Sequence, residues 1–239
     1  MTDMESHDAN HGRRGSRPEE LTNGLWRWTA RHPEWHPSGF GDEVAAFALD
    51  TDDGGLLIDP LLPADDPEPV LELIDALAAK RLAILITIPY HVRSAEEIWR
   101  RQPKRTTIHG HPAAAKRLRD TDAFVPIEAG ADGLPDGVTA HVIGSPRRHE
   151  QPLYLPSHDA LAFGDAVVEV DGALRVWDDP LTDAKRERWY RDRYLPTLEP
   201  LLDLNADRVL VTHGEPVLEG GRAKLGKALA AEPWSRRSG

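Results

Sequence analysis

The feature that most constrains the fold is an apolar run, Leu82 to Ile88 ("LAILITI"), broken only by Thr87. It passes directly into the turn "PYHVRS" and then into "AEEIWRR". A strand with one wet face alternates apolar and polar residues, whereas a uniformly apolar strand is covered on both faces. The run is far too short to cross a bilayer. It predicts a central strand enclosed between layers, and 239 residues can bury a core of that kind as one large domain or two small ones.

The neighbouring segments supply those layers. "EVAAFALD" and "GLLIDP" read as strands joined by the hairpin signal "TDDGG". In "DDPEPVLELIDALAAKR", Asp66 is placed as an N-cap with Pro67 at the first helical position, and Val70, Leu73, Ile74 and Leu77 share one face. Ser94 and Glu97 have the spacing of a capping box. "TTIHGHP" reads as strand and turn, and "PAAAKRL" as a short helix. A second set of strands follows from about residue 124: "GVTAHVI", "PLYLP", "ALAFGDAVVEV" and "ALRVW". A helical region from 182 to 204 is interrupted near Pro196. It leads to a last strand in "DRVLVTHGEPV" and a closing helix in "GRAKLGKALAAE". Hairpins mixed with crossovers suit two sheets flanked by helices better than one doubly wound sheet. Residues 1–20 read as a polar, disordered tail without the apolar core of a secretory signal, and 21–239 as one domain.

Charge and composition narrow the chemistry. A net charge of -11 argues against a nucleic-acid partner, and no segment argues for a membrane. The chain has no cysteine, which removes disulfides, thiolate ligands and a cysteine nucleophile and fits a cytoplasmic location. Any metal must be held by His, Asp and Glu. G-x-G-x-x-G after a strand, a P-loop and a G-x-S-x-G elbow are all missing from the sequence.

Four segments in order resemble the metallo-β-lactamase superfamily: "GGLLIDPLLP", "ILITIPYHVRSAEEI", "LYLPSHDALAFGDAVV" and "RVLVTHGEPV". The resemblance spans roughly residues 40 to 230 and implies a four-layer αββα sandwich with its site on loops at one edge of two sheets. It also implies a bridging carboxylate at Asp165 and a late histidine at His213. The second segment stands where the family has H-x-H-x-D-H. With His91 on the second histidine, Pro89, Arg93 and Ser94 fall on the first histidine, the aspartate and the last histidine. The family's third-histidine region also departs, and the nearest histidine there is His149. A guanidinium cannot ligate a metal, so the Arg93 side of a two-metal site is closed.

Two readings follow from that resemblance. In one, His91, His149, Asp165 and His213 hold a single divalent ion, zinc first and manganese or iron as alternatives. His91, Asp165 and Arg93 then serve hydrolysis of an ester, thioester or lactone. In the other, the cleft is metal-free and inactive and binds a small anionic ligand. The partner is a small-molecule substrate or ligand in either case. A third possibility is metal-independent chemistry, with His91 as a general base beside Arg93. Arg93 either covers a helix end or pairs with Asp165 or Asp59, and Asp59 either shapes its turn or pairs with Arg93. Ser94 is most simply an N-cap. His32, Glu34 and His36 form a second group that could reach over the site or pack as a strand edge. His109 and His111 read as structural, and Trp26, Trp28, Trp35 and Trp177 as core or pocket wall.

Overall fold

Two sheets face each other, with helices on both outer sides. The computed structural model describes residues 16–35, 40–128 and 134–235. The first sheet takes β1 (Glu19–Thr22), β2 (Leu25–Arg31), β3 (Glu43–Thr51), β4 (Gly54–Ile58), β5 (Leu82–Ile86), β6 (Thr106–Gly110) and β7 (Phe124–Pro126), in that order. The first four strands form an antiparallel meander, and β4 to β7 pair in parallel. The apolar run becomes β5, with all five residues buried between parallel neighbours.

Four further strands are β8 (Thr139–Ala140), β9 (Leu153–Leu155), β10 (Ala160–Phe163) and, after the hairpin β11 (Val167–Val170) and β12 (Ala173–Val176), β13 (Arg208–Val211). They form the second sheet in the order β13-β10-β9-β8, with β10 and β13 parallel. "ALAFGDAVVEV" is thus two strands broken at Gly164-Asp165.

Three buried clusters define the layers. Leu25, Phe47, Leu56, Leu85, Leu153, Ala162 and Leu210 fill the space between the sheets. Outside the first sheet, Val70 and Ile74 of α1 (Glu68–Leu77) and Ile98 of α2 (Ala95–Arg101) pack on Leu57, Ile84 and Ile108. Outside the second, the segment from α3 (Ala184–Trp189) through a π-turn at Tyr190–Tyr194 to α4 (Leu195–Leu198), together with α5 (Gly221–Ala230), covers Leu161, Phe163 and Val209. The expected αββα sandwich is what forms. No helix among the described residues is long and apolar enough to cross a membrane.

Four local expectations differ, the first at α1, whose N-cap is Pro67 rather than Asp66, with no side-chain capping bond. β1 begins at Glu19, inside the expected tail; residues 1–15 lie outside the described residues. The hydroxyl of Ser94 makes no capping bond and instead accepts the Leu62 amide at 3.0 Å, tying α2 to the loop after β4. The helix expected to break only at Pro196 already widens at Tyr190, turning both Tyr190 and Tyr194 into the core.

Candidate functional site

Four parallel-paired strands, β4, β5, β10 and β13, end at the same edge, and each delivers one polar segment just past its carboxyl end. Open α/β sheets place ligand sites at such edges. Asp59 follows β4 in a left-handed conformation (φ 48°). Its carboxylate accepts the Thr87 amide at 2.8 Å and the Thr87 hydroxyl, and its Oδ2 lies 2.8 Å from Nδ1 of His91. His91 sits in the short turn Pro89–Val92 after β5, with its Nε2 3.4 Å from Oδ1 of Asp165. Asp165 follows β10, and His213 follows β13 and places its own Nε2 3.5 Å from the same oxygen. The structure brings His91, Asp165 and His213 together.

Two glycines make this approach possible. A Cβ on Gly164 would lie 2.6 Å from the Thr87 hydroxyl, so the Asp165 turn could not close on the β5 turn. Gly214 has φ 91°, and a Cβ there would lie 2.4 Å from the Glu169 carbonyl. Beneath the Asp165 turn, the fully buried carboxylate of Glu150 accepts the amides of Gly164, Asp165 and Ala166 at 2.9 to 3.1 Å.

Arg93 follows the His91 turn with φ 41°, a conformation that non-glycine residues seldom adopt. Its Nη1 donates to the carbonyls of Asp59 (2.9 Å) and Ala45 (3.3 Å), while Nε and Nη2 are buried without a partner. The expected pairing with Asp165 or Asp59 is corrected accordingly. Among the described residues Arg93 makes no ion pair, and it meets Asp59 through the main chain. Arg93 also lines an open cleft of about 700 Å³ together with His32, Glu34, Tyr90, Arg100, Arg117 and Arg119.

The titratable groups respond to one another. Burial and Arg93 pull the pKa of His91 down, but Asp59 and Asp165 outweigh them and raise it. Burial alone would raise Asp165, yet the imidazoles of His91 and His213 hold it well below the usual carboxylate range. Burial lowers His213 against the opposing pull of Asp165. Burial, and then the charge of Asp165, pushes Glu150 up to about 7 in spite of its amide bonds. The carboxylates of Asp59 and Asp165 thus favour the charged forms of both His91 and Arg93.

The resemblance implies a metal, but the donors do not fit one as they stand. Among the described residues, no group of three or more His, Asp or Glu side chains is placed to hold an ion. Both Nε2 atoms aim at the same carboxylate oxygen rather than at a common open point. The expected fourth ligand, His149, turns elsewhere. Its ring lies 4.6 Å from that of His111, and no hydrogen bond or ion pair among the described residues joins it to the cluster. His111 itself accepts the Ala113 amide, a structural role.

His32 faces the cleft, and His36 lies outside the described residues. Trp28 is core, with its indole N–H on the Leu61 carbonyl. Trp177 stands edge-on to His213, and Phe40 covers the same imidazole at 4.7 Å, making an apolar wall that sequence reasoning missed in part. Glu150 was missed entirely. Its only local signal is adjacency to His149, while its partners lie 14 to 16 residues away.

Solved structures place this architecture. A metallo-β-lactamase family protein from Thermus thermophilus superposes with a TM-score of 0.55 at 18% identity, covering 88% of this chain and 80% of its own. The DIM-1 metallo-β-lactamase gives 0.62 at 15% identity over 90% of this chain and 95% of its own. The metallo-β-lactamase from Pontibacter korlensis gives 0.62 at 16% over 90% and 99%. No protein-family model matches the sequence, and no curated protein does. The chain has the metallo-β-lactamase fold, and at these identities the likeness is one of fold.

Proposed function

We propose that this protein uses the strand-end cleft of a metallo-β-lactamase fold to bind a small anionic ligand, with Arg93 supplying the positive charge. The observation that carries this reading is Arg93, a residue of the wall of the 700 Å³ cleft that has no carboxylate partner among the described residues and whose Nε and Nη2 are buried without a hydrogen-bond partner. Arginine presents a planar fork of donors suited to a carboxylate or phosphate, and a buried donor left unpaired is costly. The cleft lining supports the same sign. Four arginines face three glutamates there, an excess of positive charge in a chain of net -11. The metal-dependent hydrolase reading has weaker support, because its four donors are not assembled.

Thermal unfolding of chelator-treated protein tests the proposal. Acetate and phosphate are expected to raise Tm saturably, reaching about 2.7 kcal/mol of stabilisation at a hundredfold excess over Kd. The gain should vanish in Arg93→Met. Stabilisation by zinc or manganese alone, with no response to either anion, would overturn the reading.

A further inference from the structure

Arg93 is not the only guanidinium of the cleft without a carboxylate. Arg117 and Arg119 line the same wall, and among the described residues neither side chain has a carboxylate within ion-pair distance. Arg100, by contrast, is held by Glu96, whose other oxygen accepts the Arg119 amide. That glutamate is thereby turned to α2 and to the main chain. The guanidinium carbon of Arg117 lies over the ring of Tyr90, 4.3 Å from its centroid, and Tyr90 is the most exposed large hydrophobic side chain described, at 59%. Such a cation–π contact holds the guanidinium in place without using up its N–H groups, which stay available to an acceptor. The cleft lining thus carries one cation with buried nitrogens, in the turn that follows His91, and two exposed ones, one of them held on an aromatic ring.

We infer that the cleft takes a small organic dianion, with one anionic group on Arg93 and the second read by Arg117 and Arg119, and with Tyr90 positioning Arg117. This rests on the anion-binding reading above and goes further by naming the class of ligand. A cavity of 700 Å³ lies within the range of small-molecule sites, and a molecule with two charged groups is suited to engage a buried and an exposed cation together. The second group adds charge-assisted hydrogen bonds at a solvated rim, so its contribution is moderate rather than large.

Calorimetric titration of the full chain with acetate, succinate, phosphate and pyrophosphate tests the inference. The two-headed member of each pair should bind about tenfold tighter than its one-headed counterpart. Comparing succinate with pyrophosphate separates a dicarboxylate from a diphosphate ligand. In Arg117→Ala/Arg119→Ala, both exposed positions, the preference should disappear, with acetate and phosphate weakened far less than succinate and pyrophosphate. Tyr90→Leu should give a partial loss.

If acetate binds in an Arg93-dependent way but succinate and pyrophosphate bind no tighter, the inference fails and the anion-binding reading stands. Retention of the dianion preference in the double variant also sinks the inference alone. If none of the four binds, both fall.

Discussion

The two halves of the molecule contribute to the site in different ways. In the second half, Asp165 and His213 stand one or two residues beyond β10 and β13, held by main-chain geometry, with few hydrogen bonds of their own. Oδ1 of Asp165 and Nδ1 of His213 are buried without a hydrogen-bond partner. In the first half, the turn after β5 is heavily cross-linked. Asp59 binds Thr87 twice and His91 once, Arg93 binds two carbonyls, and Ser94 holds the Leu62 amide. One half presents carboxylate and imidazole atoms with unused capacity, while the other spends its polar atoms on holding itself, apart from Nε and Nη2 of Arg93. Strand ends fix where side chains emerge, but what stands there decides whether the edge gathers a metal or, as read here, an anion.

That contrast can be broken by mutation. Asp59→Ala leaves His91 and both Thr87 groups without their buried acceptor and should cost about 3–5 kcal/mol in chemical denaturation. Asp165→Ala, whose carboxylate has only long contacts to the imidazoles, should cost about 1–2 kcal/mol. A larger loss at Asp165 than at Asp59 would reverse the assignment of the two halves.

The pH dependence of stability sharpens it. Glu150 titrates at about 7 in the folded chain against an ordinary value near 4.5, so the folded state holds the extra proton between these limits. Stability should therefore fall as pH rises from 4.5 to 7, with a slope of at most about 1.4 kcal/mol per pH unit. Glu150→Gln should remove that slope. His91, whose pKa is raised, contributes stability that is fully present below 6.5 and is lost as pH rises through its folded value. That further decline should survive in the Glu150 variant and disappear in Asp59→Ala. The smallest effect is expected at His149. His149→Ala should shift stability by no more than about 0.5 kcal/mol and leave anion binding untouched, since the ring meets His111 and not the cluster.

Much of the fold was legible because its signals are local. The uniform apolarity of Leu82 to Ile86 announces a strand buried on both faces, and the resemblance carried by the segments around Asp59, Asp165 and His213 implies a site on loops at one sheet edge, where these residues do stand. Side-chain destinations were not legible. Nothing near Glu150 says that its carboxylate will cap the turn at 164–166, and nothing near His149 says that its ring will turn to His111. Arg93 lies between these cases. Its chemistry excludes a ligand role from the sequence alone, but its partners are carbonyls from β3 and the end of β4, fixed only when the sheet forms.

The most direct measurement is calorimetric titration of acetate into chelator-treated protein at neutral pH, with and without added zinc, for the natural chain and for Arg93→Met. The account predicts saturable binding by the natural chain without metal, unchanged by zinc and abolished in the variant. Binding that appears only after zinc is added, or that persists undiminished in Arg93→Met, would contradict it.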